Sequence, residues 1–230
     1  METAPVAPRE DPLIVAASLA EATGDVPDLL PRHRHTLTRD TVRASQVVRI
    51  LMATAAVVAE RGYAETSVTA IVKRAGVSTK TFYEIYAGKE DAFLAAYAAI
   101  DVVIARITAA ALEHDDPRAM LLVGARAYLD ELASEPAFTR MLVIEAVGAG
   151  PRVRRRRARA FGEFAAALAI PLRLARSRDP GLPEVGEALL LALLGGINEL
   201  VLQHLAERGA ETLPELAPAV ETLIVRICFP

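Results

Sequence analysis

Apolar positions in this chain recur at helical spacing almost from end to end. Val47, Ile50, Leu51, Thr54 and Val58 form a stripe over residues 41–61, and Gly62 after Arg61 marks a helix C-terminus. Val68, Ile71, Val72 and Ala75 then share one face of a short helix whose start Thr66 or Ser67 can cap. Ala75-Gly76-Val77-Ser78 interrupts the period. Glycine accepts the positive φ of a tight turn, and a serine hydroxyl can hold an orphan N–H of the next helix. Over residues 79–86, Phe82, Ile85 and Tyr86 face one way while Thr79, Lys80, Tyr83 and Glu84 face the other. Two short helices joined by such a turn make a helix-turn-helix, the second helix carrying polar groups outward to a DNA major groove.

Longer helices follow. The pattern predicts them over 89–112, over 117–133 after Asp115-Asp116, over 136–147, over 151–176, over 183–208 and over 213–229. Pro171 is expected to kink or split the fourth of these, since proline lacks the N–H a helix interior needs. Strand-like alternation is nearly absent. The fold class is therefore all-α: a three-helix helix-turn-helix domain over 32–93, then a C-terminal helical bundle over 94–230. Residues 188–205 are apolar nearly all round, but Asn198, Glu199 and His204 interrupt them, and the stretch reads as too short to cross a membrane. A second subunit is the economical cover, which makes residues 183–208 and 213–229 the expected homodimer contact.

Composition changes this picture in two places. The 230 residues are 53% hydrophobic and only 5% aromatic, so the interior rests on Ala, Leu and Val, which suits closely packed helices. The formal net charge of −3 hides a strong asymmetry. Residues 1–31 carry six acids and one base with five prolines, and read as a flexible acidic extension without the apolar run of a signal peptide. Residues 32–89 carry ten bases against four acids, a net +6, which is the electrostatic footprint of a DNA-binding domain. Arg32-His33-Arg34-His35 with Arg39 and Arg43 reads either as a basic arm (32–43) for the minor groove or as a solvated linker. The run Arg152, Arg154–Arg157 reads either as a second nucleic-acid contact or as a solvated helix end snorkelling over apolar neighbours. The lone Cys228 fits a reducing compartment and a core position.

The segment from Ile50 to Phe93, with R-G-Y-x-x-T-S-V-x-x-I-V-x-x-A-G-V-S-x-x-T-F-Y-x-x-Y-x-x-K-E, resembles the DNA-binding domain of the TetR-type transcriptional regulators. The one departure is Tyr86, where that family more often has Phe. The resemblance implies DNA contacts at Ser67, Thr69, Ser78, Thr79, Lys80, Thr81, Tyr83 and Lys89. It also implies dimerisation through the last two long helices and an effector pocket among the middle ones.

Residue chemistry assigns roles within that set. Tyr83 and Lys89 suit phosphate oxygens, and Lys89 stands at a helix start where backbone N–H groups can share the phosphate. Lys80 can donate to guanine O6 and N7, and a threonine methyl can touch a thymine methyl. Tyr128, Phe138, Met141, Glu145, Phe161, Phe164, Asn198 and His204 are the bulky or polar residues at otherwise small apolar positions of the bundle. Phe138, Met141, Phe161 and Phe164 are the expected pocket walls for a small apolar effector, with room left by Pro171 and the Gly148–Gly150 turn. No nucleophile elbow, dinucleotide loop, phosphate loop or Cys/His ligand cluster is present, so neither an enzyme, a metal site nor a cofactor is expected. The expected function is a cytoplasmic, sequence-specific repressor released from a pseudo-palindromic double-stranded DNA operator by the effector. A helical adaptor and a constitutive DNA-binding protein without an effector are the alternatives.

Overall fold

In the computed structural model the described residues are 39–230, with side chains from residue 41; the acidic extension and the 32–35 tract lie outside them. Among the described residues every regular element is helical. The first helix, α1 (Arg39–Glu65), begins two residues before the expected start and includes both Arg39 and Arg43, which stand on a helix and not in an arm. Its helical geometry breaks at Gly62, with φ 79° and ψ 158°, a region open to glycine and strained for other residues. Next come α2 (Val68–Ala75), capped by Ser67 of the two candidates, and α3 (Thr79–Ile85), capped by the expected Ser78. Ser67 Oγ accepts from the Ala70 N–H at 3.2 Å, and Ser78 Oγ accepts from the Thr81 N–H at 3.0 Å. Gly76 closes α2 in the left-handed region, φ 63°.

The predicted 89–112 helix is divided at Ala98 into α4 (Lys89–Tyr97) and α5 (Ala99–Leu112). Then α6 (Pro117–Ser134) starts where the Asp116-Pro117 pair puts it, with the Asp116 carboxylate accepting from the Ala119 N–H at 2.8 Å. After α7 (Pro136–Arg140) the chain makes a π turn, Met141–Glu145, in which the Ala146 N–H reaches back to the Met141 carbonyl; α8 (Ala146–Gly148) completes the segment. Pro171 does not split α9 (Pro151–Arg178), which runs through it. The next helix, α10 (Glu187–Arg208), starts four residues later than expected, after Gly186. A 3-10 turn (Leu213–Leu216) precedes α11 (Ala217–Cys228).

Two apolar clusters hold these elements. The first unites Ile50, Leu51, Val58, Ile71, Phe82, Phe93 and Tyr97 with Met141, Leu142, Ala146 and Val153, so α1–α4 share one core with the π turn and the start of α9. The second joins Leu121, Leu129, Leu132, Leu193, Ile197, Val201, Val220 and Ile224 from α6, α10 and α11. Cys228 is buried in it, and its burial pushes the thiol up to about 11. His204 is buried and satisfied within the chain, its Nε2 2.8 Å from Thr212 Oγ1.

By length and composition alone, 41–65, 89–112 and 187–208 are each long and apolar enough to cross a bilayer, which corrects the sequence reading of the third. The first two carry the helix-turn-helix core. The third packs Leu193, Ile197, Val201 and Leu205 inward as part of that second cluster.

Candidate nucleic-acid interface

The helix-turn-helix is fixed from behind by long-range contacts. Arg49 of α1 donates from Nη1 to the carbonyls of Ala75 (3.2 Å) and Gly76 (3.3 Å), closing the turn itself. Arg43 donates to the Glu84 carbonyl at the end of α3 at 3.3 Å. Phe82 is fully buried beneath α3, edge-on to Tyr83 and tilted against Tyr86. These contacts leave the opposite face of α3 in solvent: Ser78, Thr79, Lys80, Tyr83 and Glu84 are exposed, Thr81 partly so, and Thr69 is exposed on α2. The Lys80 side chain is 87% exposed, with Glu84 Oε1 3.9 Å away one turn on, so its ammonium is held loosely enough to be handed to another acceptor. Ser67 and Ser78 are engaged as helix caps, and Thr81 Oγ1 lies 2.8 Å from Ser78 Oγ. Their hydroxyls are therefore partly occupied before any DNA arrives.

Lys89 is placed otherwise than a free phosphate ligand would be. Its ammonium donates to the carbonyls of Tyr63 (3.0 Å), Ala64 (3.1 Å) and Thr66 (2.8 Å), and it lies 4.7 Å from the Tyr63 ring centroid. Three donors meet three carbonyls just past the break at Gly62, of which the Tyr63 carbonyl also accepts the Thr66 N–H at 3.3 Å, so Lys89 ties α4 to the end of α1. Glu145 works on the same segment from the π turn, accepting the Tyr63 N–H at 2.8 Å. Burial and the neighbouring Glu90 raise the Tyr63 hydroxyl above its ordinary value. Arg152 of α9 bridges Asp91 (2.7 Å) and Glu90 (3.1 Å) of α4. Arg156 pairs with Asp101 of α5 and, at 3.5 Å, with Glu163 of its own helix. The arginine run is thus mainly a fastening between α9 and the helices that follow the helix-turn-helix, with Arg154 and Arg155 left to solvent. Sequence reasoning missed this fastening; the only signal for it was the Glu90-Asp91 pair opposite so dense a basic run.

A cavity of about 110 Å³ lies between α5, α6, α9, α10 and α11. Its wall includes Ile104, Ile107, Leu121, Leu168 and Ile197, and Gly124 lets α6 approach Ile107 and Ala111 of α5. Phe161 and Phe164 line it, together with Tyr128 and Asn198. Phe138 and Met141 do not. Met141 is fully buried in the first core and Phe138 packs against that core, because their face of the chain turns toward α1. The Gly148–Gly150 turn is likewise remote from the cavity, with Gly150 beside Glu90. Pro171 does line it, next to Ile170.

Residues 50–96 match the family model for bacterial regulatory proteins of the tetR family. This segment is a TetR-type domain. Solved structures extend the likeness to the whole fold. The fatty acid degradation regulator FadR from Bacillus halodurans is 20% identical, with a TM-score of 0.70 over 77% of this chain and 93% of that one. FadR from Bacillus subtilis in complex with stearoyl-CoA is 18% identical, with a TM-score of 0.67 over 79% of this chain and 97% of that one. The TetR-family regulator PfmR from Thermus thermophilus is 21% identical, with a TM-score of 0.59 over 77% of this chain and 97% of that one. At such identities the likeness carries the fold. No curated protein matches the sequence.

Proposed function

We propose that this chain is a homodimeric transcriptional repressor that binds a pseudo-palindromic operator and releases it when an apolar ligand enters the cavity. The observation that carries the DNA reading is the exposed polar face of α3, held rigidly by Arg43, Arg49 and the buried Phe82 within a TetR-type domain. Thr79, Lys80 and Thr81 present the first turn of that helix to base edges, while Ser67, Thr69, Ser78 and Tyr83 border it as phosphate contacts. Lys89 reaches phosphate only by giving up a carbonyl, so its main contribution is to the orientation of α4 at the domain's edge. The working division is residues 32–93 for DNA and 94–230 for dimerisation and ligand.

Dimerisation through α10 and α11 is supported by an uncovered face on α10. Ala188, Leu189, Leu191, Ala192 and Gly195 are exposed there, and such a strip of apolar and small residues allows a partner helix to come close. Two-fold symmetry would then impose half-sites about one DNA turn apart, ~34–36 Å, or a multiple of that. The ligand reading rests on the cavity's apolar wall and on the fold shared with a regulator crystallised with an acyl thioester. Arg152 and Arg156 link the cavity helix α9 to α4 and α5, which supplies a mechanical route from ligand to DNA helix.

Light scattering of the purified chain, followed by fluorescence anisotropy on a selected duplex with and without saturated acyl ligands, tests the proposal. A dimer whose DNA affinity falls by about five- to 150-fold with ligand is expected. A monomer at micromolar concentration, or a DNA affinity indifferent to every apolar ligand that binds, would contradict it.

A further inference from the structure

The face of α9 that lines the cavity recurs at 161, 164, 168 and 171, and the same row continues one turn earlier to Arg157. Arg157 is half-buried, with its guanidinium carbon 4.3 Å from the centroid of Phe161. Its neighbour Arg156 is buried to a similar degree, but Arg156 has taken both nearby acids, Asp101 and Glu163. Among the described residues no carboxylate pairs with Arg157. A guanidinium carries five donors in a planar fork, and a half-buried one without an anion forgoes the charge-assisted bonds that its burial would strengthen. It also stands close to two tyrosines. Burial pushes the Tyr97 hydroxyl up to about 12, partly opposed by the positive charge of Arg157 and Arg156. The Tyr128 hydroxyl, on the cavity wall, is likewise raised by burial and lowered by Arg157.

We infer that Arg157 is the anion-receiving group at the end of the cavity nearest the DNA-binding domain, and that the ligand is an apolar chain ending in an anionic head. The inference rests on the cavity reading above and deepens it. The chain lies along Phe161, Phe164 and Leu168 toward Pro171, a span of ten residues of helix or about 15 Å. The head stacks its charge against the guanidinium fork, which suits a carboxylate or a phosphate oxygen equally. Neutral apolar molecules fill the same space without that contact, so the site selects on charge. Because Arg157 follows directly on Arg156, the anion would settle beside the α9–α5 ion pair and bear on the helix leading back to DNA.

The test uses the full chain with dodecanoate, dodecanoyl-CoA and dodecanol, read by calorimetry at neutral pH. Wild type is expected to hold at least one anionic probe about tenfold or more tighter than dodecanol. Arg157→Gln should erase that preference while leaving dodecanol affinity unchanged, and Arg157→Lys should restore part of it. Loss confined to dodecanoate assigns a carboxylate head, and loss confined to the thioester assigns a phosphate; either supports the site. Equal affinity for acid, thioester and alcohol in the wild type overturns it. So does an equal loss for all three in Arg157→Gln, since a merely structural role would act on every ligand alike. If no probe binds the wild type, the cavity reading itself fails, an outcome distinct from loss of charge selection.

Discussion

The helix-turn-helix and the cavity region of the bundle are built on opposite principles. The first is filled: Phe82 and Phe93 are fully buried, with Tyr86 and Tyr97 nearly so, among Ile50, Ile71 and Val72, and both short helices are capped by serine. The second uses Ala, Leu, Ile and one glycine, and leaves space that Phe161, Phe164 and Tyr128 border without filling. Rigidity in one place and unfilled volume in the other match two different tasks. A surface that reads base edges must hold its side chains in fixed geometry, whereas a wall that accepts a ligand must have somewhere for it to go. The difference teaches that the scarce aromatics of this chain were spent mainly where orientation matters.

Core deletions should expose this contrast most strongly. Phe82→Ala removes a fully buried ring from a packed core and should cost about 3–5 kcal/mol of stability by denaturant unfolding. Phe161→Ala removes a ring that already borders open space and should cost less than half of that. Equal losses would erase the distinction between filled and unfilled regions.

Next in size is the edge of the helix-turn-helix domain, where α4 meets the end of α1. Lys89→Ala leaves three carbonyls without their shared donor and should destabilise by about 1–3 kcal/mol, seen as a lower melting temperature. If the variant melts like wild type while the salt dependence of DNA binding falls by about one phosphate's worth, Lys89 acts on DNA after all. Gly62→Ala probes the same joint from the backbone side. Its positive φ and extended ψ are strained for alanine, and the new Cβ would sit 3.4 Å from a Glu145 oxygen, so a cost of about 1–3 kcal/mol is expected. A neutral result would mean the α1 break relaxes freely.

The smallest stability effect should come from the reading face itself. Lys80→Ala should change stability by less than about 0.5 kcal/mol, because its pair with Glu84 is exposed and long. Its effect should appear instead in DNA selectivity, as a loss of about 1–3 kcal/mol at particular base positions across a library of site variants. Tyr83→Phe should weaken all sites alike. Uniform loss for Lys80→Ala as well would move that lysine to the phosphate contacts.

Legibility followed the range of the interactions. Gly76, Ser67, Ser78 and Phe82 could be placed from the chain because caps, a left-handed turn and a buried face are set by residues three or four apart. The start of α6 was readable for the same reason, in Asp116 and Pro117. The start of α10 was not, since Pro183 looks like a first-turn proline, while the chain from Asp179 to Gly186 is spent on a turn in which Gly181 N–H donates to Asp179 Oδ1 at 3.0 Å. What escaped was contact between distant residues: Glu145 on Tyr63, Lys89 on the end of α1, Arg152 on Glu90 and Asp91. The cavity was half legible. Phe161 and Phe164 share a face of α9 that the helical period can define, but Phe138 and Met141 pack into the first core with α1, a contact between distant residues.

Sequence-specific DNA reading by α3 is the central claim, and repeated selection of bound duplexes from a random pool tests it most directly. The wild-type chain is expected to enrich one pseudo-palindromic sequence, with half-sites spaced by a whole DNA turn, and Lys80→Ala to alter preference at matching positions in both halves. A pool that remains random after several rounds, or an enriched motif that is identical for wild type and Lys80→Ala, would contradict it.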